Sequence, residues 1–159
     1  MSDRIEKKVV LKASRERVWR AISDAQQFGA WFGVAFDGPF VAGTHMAGKM
    51  VPTQVDAEVA KRQEPYRDRP FAWTVDRIEP MQLISFRWHP FALDPAVDYS
   101  SEPMTLIVMQ LEEVPGGTHL TITESGFDNI PLARRAQAFA ANFGGWDAQA
   151  RLIAKYLDA

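Results

Sequence analysis

Apolar and polar positions alternate over residues 4–12, where Ile5, Val9 and Leu11 share one parity and Lys7 interrupts it. That period of two predicts a first strand. Ser14 then stands ready as an N-cap before Val18, Trp19 and Ile22 at helical spacing. Asp24 caps a second short helix, with Gln27 three residues on as in a capping box, and Gly33 ends it. Residues 34–36 read as a short strand, and a turn with Gly38 and Pro39 follows. In residues 44–51, Met46, Gly48 and Met50 alternate with His45, Ala47 and Lys49, again as in a strand. Residues 53–64 read two ways. A Thr53 cap and polar composition favour a short helix, while Val55, Ala57 and Val59 also fit a strand.

The second half is more regular. Residues 71–79 place Phe71, Trp73 and Val75 on one parity, and after a turn Ile84, Phe86 and Trp88 share a face. Residues 90–103 predict a long irregular loop, a kind of segment that is often functional. Two β-rich runs, 104–113 and 118–127, flank Pro115, Gly116 and Gly117 and predict an antiparallel hairpin. From Pro131, the residues Leu132, Ala136, Phe139, Phe143, Trp146, Ala150, Ile153 and Leu157 recur at steps of four and three. They predict one helix of about 26 residues, roughly 39 Å long. Gly144 and Gly145 interrupt the stripe and predict a bend or a close approach to a neighbouring backbone.

A helix with so wide an apolar stripe must bury it, and the only large partner is the sheet. The expected architecture is α+β, a curved antiparallel sheet wrapped around a long C-terminal helix, with two short helices after the first strand. At 159 residues the chain suits a single domain, 1–159. A net charge of −2 argues against a nucleic-acid partner. The absence of cysteine excludes thiolate catalysis, disulfides and cysteine-held metals. No apolar run is long enough for a membrane span, and the charged start carries no secretory signal, so a cytoplasmic location is expected.

Chemistry-bearing residues are few. His45, His89 and His119 show no metal-ligand spacing, so neither a metal nor a cofactor is expected. His89 ends a strand at the mouth of the long loop, where it either touches a ligand or makes a local hydrogen bond. Glu124 shares parity with Leu120 and Ile122 and should therefore face the helix. Three readings are open for it: a structural carboxylate on backbone N–H groups near Gly126, a polar anchor in a cavity, or a general acid/base. Trp31, Phe32, Trp73, Phe86, Trp88, Phe127, Phe139, Phe143 and Trp146 come from every element that should face inward. Such a set is either core or the wall of an apolar pocket, to which Met50 and Tyr99 add lining. Arg134 and Arg135 are expected to be solvated.

Four segments carry a family resemblance. Residues 13–33 (ASRERVWRAISDAQQFGAWFG), 75–90 (VDRIEPMQLISFRWHP), 116–127 (GGTHLTITESGF) and 142–157 (NFGGWDAQARLIAKYL) resemble, in order, the signatures of the activator of heat-shock-chaperone ATPase-like (AHSA-type) family. That family belongs to the START-like (SRPBCC) helix-grip superfamily, with polyketide cyclases and lipid-transfer domains. The resemblance implies a helix-grip fold. It implies three functions in descending order: binding of a small hydrophobic or aromatic ligand between sheet and helix, an interaction module for a chaperone, and a cyclase- or hydrolase-like enzyme. The expectation is a binding protein rather than an enzyme, as a monomer or homodimer. The chain reads as only the C-terminal type of domain in the chaperone activators, without an N-terminal extension. The ligand-binding candidates are the nine rings above with Met50, His89, Tyr99 and Glu124.

Overall fold

A computed structural model describes residues 3–92, 94 and 96–158. Seven antiparallel strands form one sheet: β1 (Arg4–Leu11), β2 (Val34–Phe36), β3 (His45–Met50), β4 (Pro70–Glu79), β5 (Leu83–Trp88), β6 (Thr105–Val114) and β7 (Gly117–Ser125). Their spatial order is β1-β7-β6-β5-β4-β3-β2. Helices α1 (Arg15–Ser23) and α2 (Ala25–Phe32) follow β1, α3 (Ala57–Gln63) lies between β3 and β4, and α4 (Leu132–Asp158) ends the fold.

Local chemistry explains most boundaries. Ser14 Oγ accepts the Arg17 N–H, and one Asp24 oxygen accepts both the Gln26 and Gln27 N–H groups. These bonds satisfy donors that a helix start leaves orphaned. Gln27 does not return the box; its Oε1 accepts instead from the Tyr156 hydroxyl at 3.3 Å. Gly33 closes α2 at φ 98°, a conformation in which a side chain would be strained. The ambiguous segment resolves as α3, and its cap is Asp56 rather than Thr53. Thr53 is buried, and its hydroxyl donates to the Trp31 carbonyl at 2.9 Å. The predicted loop after β5 is irregular where described; its residues 93 and 95 lie outside the described residues.

Register puts one parity of each strand on the inner face. Ile5 pairs with Glu124, Ile107 with Glu124, Phe86 with Ile107, Val75 with Phe86 and Met46 with Trp73. Trp73 and Phe86 stack at 3.9 Å and 11°, and Phe28 packs edge-on to both. Trp31 is fully buried, with its indole N–H donating to the Ala21 carbonyl at 3.0 Å. Phe127 is also fully buried, 5.1 Å from Phe139. These rings fill the interior rather than line a hollow, because each is in contact distance of the next.

The long helix corrects the predicted stripe. Ala138, Trp146, Leu152, Ile153 and Leu157 are buried, whereas Leu132 is 78% and Phe143 46% exposed. Phe143 lies outside the grip, stacked on Phe139, with Lys7 Nζ 3.2 Å from its ring centre and Lys7 paired to Asp147. The apolar count erred there because the face that meets the sheet includes Asn142 and Gln149, which are polar. Neither Gly144 nor Gly145 approaches a neighbouring backbone; a Cβ at either would meet nothing within 4 Å. Arg134 and Arg135 are not free in solvent. Arg134 pairs with Glu102 at 2.6 Å and donates to the Pro90 and Phe91 carbonyls, while Arg135 donates to the Asp128 and Ile130 carbonyls.

The open surroundings of Gly144 make a clear stability expectation. Gly144→Ala should raise unfolding free energy by about 0.5–1 kcal/mol, the helix-propensity difference with no steric offset. The midpoint of chemical denaturation checks it, and a fall would show that the glycine answers a packing need.

Candidate functional site

The inner end of β7 carries a charged residue at full burial. Glu124 has no solvent exposure. Parity placed it inward, and the chain around it supplies donors rather than a cation. The Trp88 indole N–H from β5 and the Thr105 hydroxyl from β6 donate to Oε2 at 2.7 and 2.6 Å. From α4, the Trp146 indole N–H donates to Oε1 at 2.8 Å, and Asn142 Nδ2 donates at 2.9 and 3.1 Å to the two oxygens. Backbone N–H groups near Gly126 are not involved: the Gly126 N–H donates to Asp3 at 3.3 Å. Among the described residues no ion pair involves Glu124. A buried carboxylate is tolerable only when its lone pairs are filled, and four side chains from three elements do this here.

Trp88 and Trp146 lie 5.9 Å apart, centre to centre. With Phe32, Asn142, Gly145 and Gln149 they surround a cavity of about 80 Å³ between α4 and the sheet. Gly145 is exposed, so the cavity reaches the surface beside it. Gln149 Nε2 donates to the Phe32 carbonyl at 3.2 Å, and its Oε1 is buried without a partner. The volume is below the roughly 150 Å³ of an apolar cavity known to take benzene, but well above one water. A wider groove of about 620 Å³ opens elsewhere, between the start of α2 and the turn after β2. Its polar rim includes Asp24, already engaged as a helix cap, and it is not the space under α4.

The predicted residues therefore separate into groups. Phe32, Trp88, Trp146 and Glu124 come together at or behind the cavity. Trp31, Trp73, Phe86 and Phe127 are core, and Trp73 keeps a buried indole N–H without a partner. Met50 is half-buried on β3, opposite Val34. Phe139 is half-buried, and Phe143 is outside. Tyr99 lies under the Arg134 guanidinium at 4.8 Å. Asn142, Gln149, Gly145 and Thr105 were missed as site residues. Asn142, Trp146 and Gln149 stand at i, i+4 and i+7 on one helix face, a signal that counting apolar residues alone overlooks.

His89 is half-buried near the Arg134–Glu102 pair, and its Nδ1 is buried without a partner. Burial holds its pKa below the ordinary 6.5, with Arg134 acting the same way and Glu102 and Asp98 opposing. Among the described residues no group of three His, Asp or Glu side chains is arranged to hold a metal ion.

A single antiparallel sheet that grips a long C-terminal helix, with two short helices filling one end, is the helix-grip fold. The chain belongs to the family described as Activator of Hsp90 ATPase homolog 1-like protein, whose model matches residues 12–158. Three solved structures are similar to it. DynU16, a protein in the dynemicin biosynthetic locus, is 22% identical with TM-score 0.69, over 100% of this chain and 48% of its own. This chain thus spans about half the length of that protein. A protein from Arthrobacter aurescens is 18% identical with TM-score 0.73, over 98% of this chain and 86% of its own. The Aha1 dimer from Colwellia psychrerythraea is 18% identical with TM-score 0.66, over 99% of this chain and 96% of its own. A search of curated protein sequences finds no match. No helix among the described residues is long and apolar enough to cross a membrane.

Two outcomes are expected at this site. Glu124→Leu strands the fully buried Thr105 and Trp146 donors and should cost roughly 2–6 kcal/mol, at about 1–3 for each orphaned group. Glu124→Gln keeps one acceptor oxygen and should cost less. Equal denaturation midpoints for the two variants and the parent would contradict the cradle. For His89, the unfolded chain takes the proton more readily than the folded one. Its contribution is present above about pH 6.5 and lost as pH falls through the lower folded pKa. Stability of the parent relative to His89→Gln should therefore fall between pH 7.5 and pH 5, as read from paired denaturation curves.

Proposed function

We propose that the chain binds a small, mostly apolar molecule in the cavity between α4 and the sheet, entering beside Gly145. The observation that carries this reading is the make-up of the cavity. Two indole rings and Phe32 border it, Asn142 and Gln149 are the polar residues beside them, and Gly145 leaves its mouth without a side chain. Apolar walls with a few placed polar groups are what small-molecule sites use. The family's association with the helix-grip fold supports the same reading. The size favours a small ring or a short branched group, or a larger ligand of which only one end is inserted.

An enzymatic reading is weaker because both Glu124 oxygens are already engaged and no solvent reaches them. A protein-contact reading has one feature in its favour. The outer face of the first half of α4 exposes Leu132, Ala136, Ala140 and Phe143. The family's name refers to activation of the Hsp90 ATPase, and such a face suits a protein partner.

Trp88 and Trp146 make the binding reading directly measurable, since an occupant beside them changes indole fluorescence. Small aromatic probes should quench or shift that emission with a one-to-one isotherm. Gly145→Leu, whose side chain would enter the mouth, should abolish the response while far-UV circular dichroism is kept. An unchanged isotherm in Gly145→Leu, or no saturable response in the parent, would transfer support to the protein-contact reading.

A further inference from the structure

The groove of about 620 Å³ lies at the edge of the sheet, between β2 with its following turn and the first half of α2. β2 is the last strand in the spatial order, so one of its sides has no strand partner. Bonding parity tells which backbone groups face that side. In β3, the Met50 N–H and C=O are bonded to Arg69 and Asp68 on the β4 side, while the Ala47 carbonyl accepts the Asp37 N–H. Phe36 pairs with Gly48, which shares the parity of Met50. The Phe36 N–H and C=O therefore point away from β3, toward the free edge. Helix α2 touches this edge at Val34, whose carbonyl oxygen would lie 2.0 Å from a Cβ on Gly29. Two residues on, Phe36 lines the groove, and no hydrogen bond among the described residues reaches its N–H or C=O.

We infer that this groove docks an extended peptide segment carrying lysine or arginine, which adds to β2 as a further strand. An N–H and a C=O side by side on one residue ask for the same pair in return, and a second extended backbone supplies both at once. Charge selects the side chains of that segment. Asp24 stands on the helix wall and Asp37 at the end of the strand, and no lysine, arginine or histidine lines the groove. Among the described residues neither carboxylate is in an ion pair. Asp24 caps α2 through one oxygen, which leaves the other for a cation. The same acids disfavour a second copy of this chain, whose own edge brings another Asp37, and they repel a phosphate backbone. Phe36, half-buried, and Phe40, buried, add apolar surface for alternate side chains of the segment.

A blocked pentapeptide alternating valine and lysine tests this, with ¹H–¹⁵N spectra of the full chain as the readout. It should shift the amides of Ala35, Phe36 and Asp37 saturably, and a version with glutamate for lysine should not. Asp24→Asn combined with Asp37→Asn should weaken the lysine peptide roughly 2- to 25-fold, the range of two exposed ion pairs. Asparagine still caps a helix, so the fold is kept. Strand addition also has a signature of period two, because successive N–H groups of a strand face opposite sides. Methyl groups on the amide nitrogens of the valines, or instead of the lysines, should therefore act unequally: one set abolishes binding and the other leaves it within about three-fold. Equal effects of the two sets would overturn strand addition. Equal binding of the glutamate peptide, or unchanged affinity in the double variant, would overturn the charge selection. Absence of saturable shifts at Phe36 with the lysine peptide would overturn the site. Shifts there that follow protein concentration without peptide would reassign the edge to a second copy.

Discussion

The structure turns on one buried carboxylate. Glu124 lies on β7 with no solvent contact, and its four donors come from β5, β6 and α4. Apolar burial brings a helix onto a sheet but is non-directional, so it leaves rotation and register loosely set. Hydrogen bonds at 2.6–2.9 Å are directional and set both. A slip of α4 by one turn, about 5.4 Å, would strand the Trp146 indole N–H and the Asn142 amide and leave Glu124 with only its two sheet donors. The dependence is mutual: tryptophan is comfortable in a core only where its N–H finds an acceptor, and the carboxylate only where its oxygens find donors.

The same bonds explain why a cavity persists beside so dense a core. Elsewhere the rings close on each other, as Trp73 and Phe86 do at 3.9 Å. Trp88 and Trp146 also meet, at 5.9 Å, but both are pinned at their edges by Glu124, which fixes their orientation and keeps them from turning into the space beside them. Gly145 then contributes no side chain to the mouth. The hub thus both joins the helix to the sheet and fixes the two rings that border the cavity.

Much of the fold was legible because its signals are local. Period-two runs marked the strands, Ser14 and Asp24 marked helix starts, and Gly33 marked a stop. Parity along β7 pointed Glu124 inward. The site was less legible because its parts are distant in sequence. The donors to Glu124 lie 36, 19, 18 and 22 residues from it, and nothing in spacing shows that they converge. The helix stripe misled for a related reason. Its inner face meets a charged group, so it carries Asn142 and Gln149, while Phe143 sits outside under the Lys7 ammonium. Hydrophobicity ranks a polar residue as outward; the carboxylate across the gap reverses that rank. Thr53 misled in the same manner, since its hydroxyl serves the Trp31 carbonyl inside the fold and leaves the helix cap to Asp56.

Neutralising a buried carboxylate with dipoles rather than with a cation has an electrostatic consequence. A salt bridge would cancel the charge at a distance, whereas oriented N–H and O–H groups satisfy the lone pairs and leave the net charge in place. Two cations beside Glu124's end of α4 are engaged elsewhere, Lys7 with Asp147 and Arg134 with Glu102. Removing any one of the donors therefore leaves a lone pair in a space that no solvent reaches, a cost that a surface ion pair does not incur.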